Sequence, residues 1–341
     1  MSEANPSANR TLADALSPDE IRAFADRFAE LSRAVERAVL GQTDVVRSVL
    51  VALLAGGHVL LEGPPGIGKT LLSRTLAHAV GVEFRRLQFT PDLMPSDVTG
   101  GNVYNQKVHE FEFRPGPVFT QILLADEVNR APAKTQSALL EAMSDRQVSV
   151  DGATRPLPSP FFVIATQNPI ESEGTYPLPE AQLDRFLVKV LVAHPSVEVE
   201  VRLLQASLRG FDAGDLATAS VPQVVDEAAF NHMVAVARRV RVADDLCTYI
   251  ARVVARTRTH PAVALGASPR ASLALLRSAQ VVAASEGRGY VVPDDIKEMA
   301  RPVLRHRFLM QADAELDGLT PDAVVDAVLV DVPVPGGERS G

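Results

Sequence analysis

Eight consecutive residues, Gly63-Pro64-Pro65-Gly66-Ile67-Gly68-Lys69-Thr70, restrict what this 341-residue chain can fold into more than any other stretch. They satisfy GxxxxGK[ST] directly after the apolar run 58–61 and directly before a good helix former, 70–80. A strand, a glycine-rich turn and a helix in that order bring backbone N–H groups to one point, with the positive end of the helix dipole behind them. That arrangement suits a chain of phosphates. Gly63, Pro64, Pro65, Gly66, Ile67, Gly68, Lys69, Thr70 and Leu71 are therefore the candidate binding residues for ATP. Lys69 would balance the β- and γ-phosphate charge, and the Thr70 hydroxyl would bind Mg2+.

The surrounding pattern is that of an α/β fold. Short apolar runs at 58–61, 84–89, 121–125, 161–166 and 186–192 are bounded by turn residues. Most are separated by segments long enough for helices, which predicts a five-stranded parallel sheet flanked by helices. Two segments break the alternation: 103–106 with 111–113, and 147–150 with 155–157, flank polar turns and read as hairpins. Ahead of the sheet, Ser17-Pro18-Asp19-Glu20 has capping-box spacing. Ile21, Phe24, Phe28, Leu31, Val35 and Val39 then follow a helical period as far as Gly41, and a second apolar helix spans 44–54. Beyond Pro195 the pattern is helical, at 197–208, 227–240, 245–258, 268–286 and 294–309. The expected organisation is a polar tail over 1–17, a nucleotide-binding core over 18–196, a smaller all-helical lid domain over 197–330 and a loose tail over 331–341.

Composition mainly excludes. With 34 Lys and Arg against 42 Asp and Glu, the net charge of −8 argues against a dedicated nucleic-acid binder, and a chain without Trp has little to stack on bases. The charge is uneven, since residues 201–310 carry 15 basic and 10 acidic side chains. A single cysteine, Cys247, excludes an intrachain disulfide and a multi-cysteine zinc site and fits a reducing compartment, so a cytoplasmic location is expected. No apolar run approaches the roughly 20 residues of a membrane span, and the N-terminus lacks a signal peptide's apolar core.

Further residues carry chemistry once a phosphate loop is present. The apolar strand 121–125 delivers Asp126 and Glu127, one carboxylate for the Mg2+ shell and one to orient and polarise an attacking water. The next strand ends at Gln167-Asn168-Pro169, where the Asn168 amide could bond the γ-phosphate or the water; an Asn-Pro turn is the ordinary alternative. Arg185 precedes the fifth strand and, read alone, is a surface charge. Ser268-Pro269-Arg270 opens a helix, where the macrodipole disfavours a cation, so Arg270 calls for an anionic partner.

Taken together, GPPGIGKT, LLADEVNRAPAKTQSALLEAM, ATQNPIESEGTYPLPEAQLDRF and GASPRA resemble, in order and spacing, the AAA+ ATPases and among them the MoxR family, over about residues 35–310. The resemblance implies that Lys69 and Thr70 are Walker A residues, Asp126 and Glu127 Walker B, Asn168 sensor 1 and Arg270 sensor 2. It makes Arg185 an arginine finger that enters a neighbouring subunit, and Gln42 an adenine-side element. Residues 101–117 and 147–157 resemble the helix-2 insert and the pre-sensor-1 hairpin, which face a central pore in relatives. Val128 stands where isoleucine is more familiar. The implied assembly is a homohexamer acting as a chaperone, with a von Willebrand factor A domain protein and a client complex as partners. The phosphate loop and its carboxylates have no obvious cation of the same chain to neutralise developing charge, which also argues for a ring. A magnesium-chelatase-like motor subunit, a DNA-dependent motor and a nucleotide-gated scaffold remain alternatives at this level.

Overall fold

A computed structural model describes residues 16–107, 109–168, 175–212 and 214–335. The expected tail over 1–17 therefore falls almost wholly outside the described residues, as do 336–341 of the expected C-terminal tail and Pro169 of the Asn-Pro turn.

The chain opens with α1 (Pro18–Glu36) and α2 (Thr43–Leu54). Ser17 caps α1 as its spacing predicts: its hydroxyl accepts from the Glu20 N–H, and the Glu20 carboxylate accepts from the Ser17 N–H. Then come β1 (Val59–Glu62), α3 (Lys69–Val80), β2 (Phe84–Gln88) and α4 (Pro95–Thr99). The antiparallel hairpin β3 (Gly100–Asn105) and β4 (Glu110–Pro115) precedes β5 (Ile122–Asp126) and α5 (Ala133–Asp145). A second hairpin, β6 (Gln147–Val150) and β7 (Ala153–Pro156), leads to β8 (Phe162–Gln167), α6 (Glu180–Leu183) and β9 (Val188–Leu191).

Five strands form one sheet in the order β2-β5-β8-β1-β9, every neighbouring pair parallel. Because side chains alternate along a strand, each central strand feeds two cores. Val59, Leu61, Ile122, Leu124, Phe162 and Ile164 face one, with α1, α2 and α3; Leu60, Leu123, Ala125, Val163 and Ala165 face the other, with Leu139 and Leu140 of α5. The edge strand β2 differs, since Arg85 and Arg86 are both exposed.

After β9 the chain is largely helical: α7 (Val197–Leu208), α8 (Glu227–Arg239), α9 (Asp244–Thr257), α10 (Pro269–Ser285) and α11 (Pro293–Leu304). A small antiparallel pair interrupts it, β10 (Val263–Leu265) with β11 (Leu309–Met310), before α12 (Ala312–Leu316) and α13 (Pro321–Asp331). The helix expected over 294–309 thus ends at Leu304, where the chain turns to bury Arg307 and to pair β11. Residues 332–335 do not all hang free, because Val332 is buried. Phe230, Met233, Tyr249, Ala271 and Ile296 of the helical part join the core that α1 and α2 share with the sheet. Arg47 of α2, paired with Glu286 and Glu298, and Glu20 of α1, paired with Arg239, add ion pairs across the same seam.

Candidate active site

The loop between β1 and α3 depends on its glycines. Gly66 and Gly68 have φ of +80° and +85°, a region costly for L side chains, and a Cβ on either would meet nothing within 4 Å. Backbone conformation, with open space above it, is what selects glycine here. Gly63 is glycine for a different reason, packing against the Val192 carbonyl and the Ile67 side chain. The Gln42 side-chain amide donates to the Ile67 carbonyl at 2.8 Å, so Gln42 braces the loop from outside.

A cavity of about 470 Å³ opens above the loop, lined by Gly66, Gly68, Lys69, Thr70, Asp126, Glu127 and Asn168 among others. These lie at the C-terminal ends of parallel strands, where open α/β sheets bind ligands. Lys69 donates to the Gly63 carbonyl at 2.7 Å. Asp126, buried at the end of β5, accepts from the Thr166 hydroxyl at 2.6 Å through Oδ1. Its Oδ2 accepts from Arg86, at 2.7 Å from Nη2 and 3.1 Å from Nε. Glu127 follows in a left-handed conformation, φ 56° and ψ 51°, uncommon for a non-glycine residue and typical of functional positions. Its N–H donates to the Thr166 hydroxyl at 2.8 Å, and its Oε2 accepts from Gln88 at 2.6 Å and Arg130 at 2.9 Å. Asn168 is buried.

Thr166, Arg86 and Gln88 escaped the sequence reading. Thr166 looks like an ordinary β-branched strand residue, and Arg86 and Gln88 look like solvated edge-strand side chains. The signal that was present is their i, i+2 spacing on the strand next to β5, which puts both on one face beside Asp126. Arg86 and Arg74 both line the cavity, two cations of the same chain that the sequence did not make obvious. Both are engaged, Arg86 with Asp126 and Arg74 with the Gly214 carbonyl at 3.1 Å.

Arg185 and Arg270 are elsewhere. They line a second cavity, about 310 Å³, with Gly57, His58, Asp184, Leu187, Arg146, Arg277 and Arg307. Gly57, His58 and Leu187 precede the first residues of β1 and β9, so this cavity lies at the opposite, N-terminal end of the same strands. A four-residue strand spans roughly 13 Å. Asp184 organises this end: it accepts from Ser268 at 2.8 Å and Arg307 at 3.0 Å, and stands 4.0 Å from Arg270. Burial brings the Arg307 pKa down to about 10, against the pull of Asp184, so it stays cationic at neutral pH. Arg185 donates to the Leu140 carbonyl at 2.6 Å, and its Nε is buried without a hydrogen-bond partner.

Comparison with known proteins fits this geometry. The profile of the ATPase family associated with various cellular activities (AAA) matches residues 58–188, and that of the AAA lid domain matches 255–328. Chaperone MoxR1 of Mycobacterium tuberculosis is 46% identical over 93% of this chain and 86% of its own length. The chain belongs to the MoxR family of AAA+ ATPases. The uncharacterized protein YeaC of Bacillus subtilis is 48% identical over 89% of this chain and 95% of its own. A crystal structure assigned as an ATPase, from Cytophaga hutchinsonii, superposes with a TM-score of 0.85 at 39% identity, covering 93% of this chain and 97% of the other. Among the described residues of this MoxR-family chain, no helix is long and apolar enough to cross a membrane.

Proposed function

We propose that the chain binds Mg-ATP in the 470 Å³ cavity and hydrolyses it at the subunit interfaces of a ring, driving the remodelling, assembly or activation of a client protein complex. The observation that carries this reading is the separation of the two halves of the catalytic set. Lys69, Thr70, Asp126, Glu127 and Asn168 stand at one end of the sheet and Arg185 and Arg270 at the other, which favours their meeting across two copies. In this reading both arginines act in the neighbour's site, and a homohexamer is the assembly expected of such a family.

Each residue then has a defined task. The N–H groups of the 63–71 loop hold the phosphates, and Lys69 moves from the Gly63 carbonyl onto them. The Thr70 hydroxyl and Asp126 would serve as the metal ligands, a sparse oxygen set that suits Mg2+ completed by phosphates and water. When bound, Mg2+ neutralises phosphate charge. Glu127 takes the proton of the attacking water, and Asn168 orients that water or the γ-phosphate. Residues 18–196 form the nucleotide-binding core, 197–330 the lid that carries Arg270, and the two hairpins the client-facing surface. A von Willebrand factor A domain partner and a cytoplasmic setting accompany this reading, with no dedicated nucleic-acid partner.

Nucleotide binding and sedimentation of two variants test it. Lys69→Ala should lose ATP binding; Glu127→Gln should keep it, lose turnover and accumulate as an ATP-bound ring. Normal hydrolysis by Glu127→Gln would remove the base from this scheme.

A further inference from the structure

Arg86 is not one of the motif residues, yet it makes the closest charged contact to Asp126. Its neighbour Arg85 shows what an edge-strand arginine ordinarily does, pairing with Glu83 at 2.9 Å where both side chains are about half exposed. Arg86 points to the other face, into the nucleotide cavity. There its Nε and Nη2 grip one oxygen of a carboxylate that is only 12% exposed, and Nη2 also donates to Gln88 at 2.7 Å. The second carboxylate oxygen accepts from Thr166. A carboxylate this enclosed needs a counter-charge, and the Arg86 guanidinium at 2.7 Å supplies one.

We infer that Arg86 is the resident counter-ion of Asp126, competing with a divalent cation for the same carboxylate. The inference rests on the Mg-ATP reading of the cavity. Two cations drawn to one carboxylate repel each other, so Arg86 opposes metal entry at Asp126. The same positive charge attracts phosphates when no metal is present. Arg86 is thus a positioning residue that sets how strongly nucleotide affinity depends on metal.

The test is a cycle in which the affinity for a fluorescent ATP analogue is measured with Mg2+ and with EDTA, in the full chain and in Arg86→Gln, Arg86→Ala and Arg86→Lys. Removing the charge should weaken metal-free binding and leave metal-bound binding equal or tighter, so the EDTA-to-Mg2+ ratio of Kd values rises about tenfold or more. Arg86→Lys, which keeps the charge, should stay near the unsubstituted ratio. A role confined to packing would weaken both arms by one common factor. That result, or an unchanged ratio in both charge-removing variants, overturns the inference. Lys69→Ala separates the two levels: if it binds nucleotide normally, the phosphate reading of the cavity fails whatever Arg86 does. If it does not bind and the Arg86 ratio is flat, only the role of Arg86 fails.

Discussion

Thr166 links the two acids of the site through a single hydroxyl. It donates to Asp126 and accepts from the N–H of Glu127, and its side chain is fully buried. Thr166→Val keeps shape and volume but leaves a buried N–H and a carboxylate oxygen short of a partner. The expected cost is about 1–3 kcal/mol in denaturant unfolding. The left-handed backbone of Glu127 also loses its tether, so kcat should fall further than stability alone explains, whereas Thr166→Ser should retain most of both. Equal behaviour of the two variants would dismiss the hydroxyl. The motif residues of the loop and the Asp126-Glu127 pair were legible in the sequence because their spacing encodes backbone geometry. Thr166 and Arg86 were not, because a threonine in a strand and an arginine on an edge look the same whether or not a carboxylate stands opposite.

At the scale of elements, one buried histidine ties three of them together. His58, just before β1, accepts from the Val163 N–H of β8 through Nδ1, and its Nε2 lies 3.1 Å from the Met143 carbonyl of α5. This pairing requires the neutral ring with its proton on Nε2. Burial, opposed by the contact with the Met143 carbonyl and aided by the charge of Arg146, brings its pKa from 6.5 down to about 4. Between those values the unfolded chain binds a proton that the folded chain refuses, so stability falls as pH drops from 6.5 through 4. The full loss for this one group is about 3 kcal/mol. His306, lowered by its own burial and by the charge of Arg307, adds in the same direction. Urea unfolding at pH 7, 5.5 and 4.5 should show the decline, with a shallower slope in His58→Asn; an identical slope would remove His58 as a source. The histidine's role was hidden in the sequence, where His58 reads only as the first residue of a strand. The capped helix α1 was readable because Ser17, Pro18 and Glu20 act locally. The end of α11 and the β10–β11 pair were not, since they answer to Arg307 reaching Asp184 and the carbonyls of β9's approach.

For the whole molecule, net charge is a poor guide to the ligand. A chain of net charge −8 gathers five arginines, Arg146, Arg185, Arg270, Arg277 and Arg307, around one carboxylate, Asp184, at the N-terminal end of its sheet. Asp184 is shared between Arg307 at 3.0 Å and Arg270 at 4.0 Å, so one carboxylate faces five cations. In the proposed ring, the terminal phosphates of a second copy's nucleotide would satisfy that excess, and an arginine finger is worth about 10³- to 10⁵-fold in rate. The consequence is testable by mixing. In the proposed scheme, Arg185→Ala keeps an intact base but offers no finger, and Glu127→Gln offers a finger but has no base. Each should be nearly inactive alone. Mixed, they should form interfaces at which the Glu127 of an Arg185→Ala subunit meets the Arg185 of a Glu127→Gln subunit, and ATP turnover should reappear with a maximum at intermediate ratios. The regained activity should fall as salt rises, since the cavity's charges are partly exposed. If no ratio restores turnover while both variants still co-assemble by sedimentation, Arg185 does not act on a neighbour's nucleotide, and the separation of the two cavities needs another explanation.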